Sequence, residues 1–308
     1  MTMAAIANRA SALFDRRGPH AVGCVLVLAF ATGGSSRGHG IGDALAQLAS
    51  LPLLGWAVLV LSARRRTPPM APLLVAGALV LVLAALQLPI PMDLWRMPDA
   101  REALAHDLAL AGVTPQPHWS LAPLASERAL WSVLPALAVF VGALALDPPR
   151  LRWMLLLVVL LAAASLLLGV VQMTAPRDSI VNPYPQWAPA FNGIFENPNH
   201  QAQMLALAAM IVASLHWGLR DATGRVMAAA AAWIAVGGLL FLAVPLTGSR
   251  AGVGLAVIGV AAALVARRAR EHRSASLRLG TGLLLGSGVA AAAWAAWSWP
   301  AISGSVRW

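Results

Sequence analysis

The chain contains no lysine, one cysteine and one tyrosine, and only 11% of its residues are charged. A lone cysteine, Cys24, excludes an intrachain disulfide and a metal cluster built from cysteines. So low a charged fraction, beside a hydrophobic fraction of 59%, excludes an ordinary soluble domain of 308 residues. No cleavage site of small residues follows the first apolar stretch, so we expect no cleavable signal peptide.

Long apolar runs recur along the whole chain. A helix needs about 20 apolar residues to cross a bilayer, and these runs are continuous rather than alternating, which favours helices over barrel strands. We therefore predict an all-α fold, a polytopic transmembrane helix bundle with about nine spans. The predicted spans are roughly 18–36, 44–62, 70–90, 129–146, 153–173, 198–218, 226–246, 251–266 and 279–298.

Arginine placement sets the predicted orientation, because basic residues concentrate in cytoplasmic loops. With a cytoplasmic N-terminus, the cytoplasmic side holds fifteen of the 22 basic residues and the outer side holds seven. Gly33 and Gly34 interrupt the first span. Without that span, however, every later loop would lie on the opposite side of the membrane, and most basic residues would then be outside the cytoplasm. The net charge of +10 could also indicate a nucleic-acid partner. Loop arginines explain it better, and we expect no nucleic acid to bind.

The predicted spans and loops divide the chain into four segments. Residues 1–90 form N-terminal transmembrane helices, and residues 91–128 form an outer loop with an amphipathic helix at "DAREALAHDLALAG". Residues 129–298 form a transmembrane core, and residues 299–308 begin a further outer segment. The loop at 174–197 is rich in proline and asparagine, and we expect it to be irregular and packed on the bundle.

A polar cluster at the start of the sixth span is the first candidate site. The stretch "FNGIFENPNHQAQM" places Glu196, Asn197, Asn199 and His200 beside an apolar run. Asparagine is a strong N-cap and proline suits the first helical position, so the pattern predicts a helix that begins at Pro198. The alternative is that the two asparagines only cap and pack.

A second candidate lies in "LTGSRAGVGLAVIG", where Thr247 and Gly248 break two apolar runs. Ser249 can cap the eighth span, and Arg250 then falls in its first turn. An arginine there opposes the helix macrodipole, which prefers a negative group, so its position calls for another explanation. One alternative is an arginine that extends to the headgroup region.

The two candidates together favour a phosphate site. Both helices are predicted to start on the outer face, where each would present a positive dipole end and free N–H groups. Arg250 adds a charge with bidentate phosphate geometry, and Arg177 can add another from the preceding loop. We find no phosphate loop, no metal-binding histidine pair and no Ser-His-Asp set, so we expect no metal and no cofactor. The combination suits a lipid diphosphate.

At these motifs the sequence resembles the O-antigen ligase and polymerase superfamily. The resemblance rests on "GIFENPNHQA" (193–202), on "LTGSRAG" (246–252) one helical hairpin later, and on "SLAPLASERALWSVLPALAVF" (120–140). It covers about residues 115–270. Ile194 stands where threonine is common in the family.

The resemblance implies a metal-independent inverting glycosyltransferase of the bacterial inner membrane. Such a protein moves a glycan from undecaprenyl diphosphate to lipid A-core, a growing glycan or a protein hydroxyl on the periplasmic face. By the same resemblance, Arg250 and Ser249 would hold the diphosphate, with Arg177 as a less close match. Asn197 and Asn199 would shape the site.

A transferase also needs a general base to activate the acceptor hydroxyl. Within this chain the candidates are His200 and Glu196. The resemblance instead implies a base in a large outer loop beyond Trp308, the last residue. Two alternatives therefore stay open: a catalytically incomplete membrane protein that binds lipid-linked glycan, or one part of a split enzyme. A transporter is disfavoured, because almost no ionisable residue falls within the predicted spans.

Overall fold

In a computed structural model of the chain, the described residues are 3–32, 41–64, 99–112, 123–185, 191–215 and 224–271. They form helices and connecting turns without a β-strand. The helices are α1 (Met3–Thr32), α2 (Ile41–Ala63), α3 (Asp99–Leu110), α4 (Pro123–Leu144), α5 (Pro148–Thr174), α6 (Pro198–Ser214), α7 (Gly224–Ala243) and α8 (Arg250–Glu271). The all-α prediction is confirmed for this part of the chain.

Three helices are long and apolar enough to cross a membrane: Ile41–Ala63, Ala125–Leu144 and Pro148–Thr174. Two shorter apolar segments are also present, Ala231–Thr247 and Arg250–Ala266. Proline interrupts α2 and α4 at Pro52 and Pro135 without ending either helix, as membrane helices tolerate. The structure therefore supports a membrane protein.

Three of the nine predicted spans, 44–62, 129–146 and 153–173, coincide with these long apolar helices. The helix predicted at "DAREALAHDLALAG" is confirmed as α3. The predicted spans 70–90 and 279–298, and the segment 299–308, lie outside the described residues.

The chain divides into two compact units, and the first comprises Met1–Ala29 and Gly38–Asp147. Within it, Arg64 joins three parts of the chain. Its Nη2 pairs with Asp15 Oδ1 at 2.6 Å, and its Nη1 donates to the carbonyl of Ala145 at 2.7 Å. Trp56 donates to the carbonyl of Ala10 at 3.0 Å. These polar contacts hold α1, α2 and the end of α4 together.

The second unit comprises Phe30–Arg37 and Pro148–Trp308, and it contains both candidate motifs. Its core is built from small and branched side chains of α5 to α8, with Leu205, Leu240 and Val244 almost wholly buried. Trp233 lies against this core and donates to the carbonyl of Val212 at 3.3 Å. The helix at the centre is α6, which contacts α5, α7 and α8.

Helices α6 and α8 run parallel and begin at the same end of the unit. Near their starts, Gly252 lies so close to Ala202 that a Cβ on the glycine would meet the alanine Cβ. Further along, a Cβ on Gly259 would lie 3.3 Å from Met210 Sδ. Because residue numbers increase together along both helices, the two N-termini are neighbours. Small residues at such contacts allow close helix approach.

We expect Gly252→Ala to destabilise the protein, because the new methyl group has no room against Ala202. The matched control is Gly238→Ala, at a helical glycine with nothing within 4 Å of its Cβ position. Overpacking costs about 1–3 kcal/mol, so Gly252→Ala should lower the thermal midpoint in detergent relative to the control. Equal midpoints for the two variants would contradict the close helix contact.

Candidate functional site

The start of α6 is fixed by Asn197, as the sequence predicted. Its backbone is extended, with φ −101° and ψ 121°, and its Oδ1 accepts a hydrogen bond from the Asn199 N–H at 2.8 Å. The Asn197 carbonyl accepts from the His200 N–H at 3.0 Å, and Pro198 occupies the first helical position. The N-cap prediction is confirmed.

The start of α8 follows a tight turn. A short 3₁₀ helix, Val244–Thr247, ends at Gly248, whose φ of 72° is in the left-handed region that favours glycine. Thr247 Oγ1 then accepts from the Ser249 N–H at 3.1 Å, and Ser249 Oγ accepts from the Gly252 N–H at 3.0 Å. Ser249 therefore caps α8, and Arg250 is its first residue, as predicted.

The structure brings the two predicted motifs together. His200 lies two residues before Ala202, and Arg250 lies two residues before Gly252, the pair in close contact between α6 and α8. The positive dipole ends of both helices therefore lie side by side. The expected free N–H groups are only partly present, because the amides of Asn199 and Gly252 are bonded to cap side chains.

Burial separates the candidate residues into two groups. Asn199, His200 and Arg250 are exposed, whereas Ser249 and Glu196 are buried, at 5% and 3% exposure. Asn197 is intermediate. Of the two candidate bases, only His200 is therefore open to a substrate, and Glu196 is enclosed by protein.

An aromatic ring packs beside His200. The Phe195 and His200 ring centroids are 6.3 Å apart in an edge-to-face arrangement. Phe195 also packs edge-to-face on Phe30, with centroids 5.7 Å apart. Phe195 therefore packs against both the Phe30 ring and the His200 imidazole.

Arg177 lies on the turn that follows α5. The Ser179 N–H donates to the Pro176 carbonyl at 3.0 Å and closes this turn. The Arg177 side chain is exposed. The irregular loop predicted after α5 is confirmed over the described residues 175–185 and 191–197.

Comparison with known proteins finds no matching family model, no matching curated protein and no matching solved structure. Among the described residues, no three histidine, cysteine, aspartate or glutamate side chains are grouped closely enough to hold a metal ion.

A buried polar cluster beneath the α6 start was not predicted from the sequence. Ser165 Oγ donates to Gln201 Oε1 at 2.6 Å and accepts from the Ile194 N–H at 3.1 Å. Gln172 Nε2 donates to the carbonyls of Gly193 at 2.7 Å and Val181 at 2.9 Å. Ser165, Gln172 and Gln201 are each at most 2% exposed. They hold the loop against α5 and α6.

Three side-chain atoms in this cluster have no hydrogen-bond partner among the described residues: Gln172 Oε1, Asn192 Oδ1 and Gln201 Nε2. Buried polar atoms without partners are rare, and each calls for an explanation. A signal existed in the sequence, since Ser165 and Gln172 are polar positions seven residues apart in an apolar helix. That spacing places them on one face.

Gly193 lies at the centre of the cluster. Its φ is 58°, and a Cβ there would lie 2.6 Å from both Gln201 Oε1 and the Ser165 carbonyl. The position therefore requires glycine for two independent reasons, its backbone conformation and the lack of space.

We expect Gly193→Ala to destabilise the protein more than Gly112→Ala. Gly112 also has a positive φ, 75°, but has nothing within 4 Å of its Cβ position. The control carries only the backbone strain, about 1–2 kcal/mol, whereas Gly193→Ala adds crowding worth about 1–3 kcal/mol. Thermal midpoints in detergent measure the difference. A control that loses as much as Gly193→Ala would show that the polar cluster is not tightly packed.

Proposed function

We propose that the protein is a glycosyltransferase of the O-antigen ligase and polymerase type. It would move a glycan from undecaprenyl diphosphate to an acceptor hydroxyl of lipid A-core, a polysaccharide or a protein. One observation carries the proposal: α6 and α8 begin side by side, and Arg250 is exposed in the first turn of α8.

An anion bound beside Arg250 would explain why this residue occupies an electrostatically unfavourable position. A cation at a helix N-terminus is repelled by the macrodipole, whereas a diphosphate between two such ends and a guanidinium is stabilised by all three. Because the cap side chains already use the Asn199 and Gly252 amides, recognition would depend mainly on Arg250 and the dipoles.

The transfer step needs a proton acceptor and stabilisation of the leaving group. The acceptor hydroxyl oxygen would attack the anomeric carbon, the bond from that carbon to the diphosphate oxygen would break, and the configuration would invert. Arg250 would stabilise the negative charge on the departing undecaprenyl diphosphate. His200, which is exposed at the same end, would take the hydroxyl proton.

The topology that fits this function is the one that the arginines indicate. We propose about nine spans, a cytoplasmic N-terminus, and the starts of α6 and α8 at the periplasmic face of the bacterial inner membrane. Undecaprenyl-linked glycans would then reach the site from the outer leaflet.

Burial of Glu196 favours a second candidate function, binding of the lipid-linked glycan without transfer. Glu196 is only 3% exposed, so His200 is the one candidate base of the pair that a substrate can reach. If His200 is not a base, this chain alone would bind the donor and would need a second polypeptide for turnover.

We expect Arg250→Ala to reduce transfer from undecaprenyl-diphosphate donor by about a hundredfold, because a hydrogen-bonded charge contact is worth about 1.5–3 kcal/mol. The matched control is Arg152→Ala, which removes another exposed arginine near a helix start, that of α5. Since Gln172 at the opposite end of α5 lies beside the α6 start, Arg152 is about 30 Å away along the helix.

The assay is transfer of labelled glycan by purified protein in detergent or liposomes, together with donor binding. Full activity in Arg250→Ala would refute the diphosphate role. Donor binding without any turnover in the wild type would support the second candidate.

A further inference from the structure

The three unpartnered atoms of the polar cluster form a mixed set of neutral groups. Gln201 Nε2 is a hydrogen-bond donor, whereas Gln172 Oε1 and Asn192 Oδ1 are acceptors. The three side chains are at least nine-tenths buried, at 0%, 2% and 5% exposure. A carbohydrate hydroxyl both donates and accepts, so a group of hydroxyls matches this set, while an anion or a cation would meet only part of it.

The cluster adjoins the anion site. Gln201 is next in sequence to Ala202, which contacts Gly252 at the start of α8. Asn192 and Gly193 lie in the segment that leads into Asn197, the cap of α6. A ligand group joined directly to a diphosphate at Arg250 would therefore lie toward this cluster.

We propose, on the basis of the proposed function, that Gln172, Asn192 and Gln201 bind hydroxyl groups of the sugar that is attached to the diphosphate. The cluster would then recognise the sugar, and Arg250 would recognise the diphosphate. This division assigns sugar specificity to amide side chains that lie behind the exposed surface.

The sugar reaches these atoms when residues 192–196 move aside. Two side-chain bonds to this segment come from the cluster itself: Ser165 Oγ accepts from the Ile194 N–H, and Gln172 Nε2 donates to the Gly193 carbonyl. Hydroxyl groups of the sugar can replace both of these bonds. They can also pair the three atoms that have no partner while residues 192–196 are in place. Sugar binding would therefore give every polar side-chain atom of the cluster a hydrogen-bond partner, whereas three of them lack one without the sugar.

The test compares two lipids, undecaprenyl diphosphate carrying its glycan and undecaprenyl diphosphate without sugar. In Gln201→Met we expect affinity for the glycosylated lipid to fall about tenfold, as for the loss of one neutral hydrogen bond. Affinity for the sugar-free lipid should not change. The matched control is Gln203→Met, an exposed glutamine two residues further along α6.

Each outcome decides the proposal. A tenfold loss confined to the glycosylated lipid in Gln201→Met supports sugar recognition. An equal loss for both lipids, no loss for either, or the same loss in Gln203→Met overturns it. If Gln201→Met fails to fold, Asn192→Ala replaces it, because Asn192 forms only a long 3.5 Å bond to the Glu196 carbonyl. A wild-type protein that binds neither lipid instead overturns the proposed function.

Discussion

Hydrocarbon offers no hydrogen-bond partners, and this constraint explains most of what the structure contains. A chain with helices long and apolar enough to cross a membrane must pair its polar groups internally. The described residues accordingly form helices, with side-chain caps at Asn197 and Ser249. Arg64 in the first unit likewise has its charge paired with Asp15 and a further donor bonded to a carbonyl. Against this background, three buried amide atoms without partners are exceptional.

The candidate site depends on the packing of α6 against α8. Because the two helices are parallel and in close contact at Ala202 and Gly252, their N-terminal dipoles act on the same small region. Arg250 adds an exposed positive charge in the first turn of α8, and the His200 ring packs edge-to-face with Phe195. The core of small side chains beneath holds this geometry, while the polar cluster fastens the entering loop.

Local rules predicted the helix starts well. Capping depends on a few consecutive residues, so Asn197 before Pro198 and Ser249 before Arg250 could be identified from the sequence alone. The burial of Glu196 and the pairing of Ser165 with Gln201 could not, because they join residues that only tertiary packing brings together.

The contact between Ala202 and Gly252 leaves room for one methyl group, not two. What selection acts on at this point is therefore the combined volume of two side chains rather than the identity of either residue. A homologue with glycine at the first position could carry alanine at the second and keep the same spacing between the helices. Evolutionary covariation between positions 202 and 252 would thus record the distance between α6 and α8 directly.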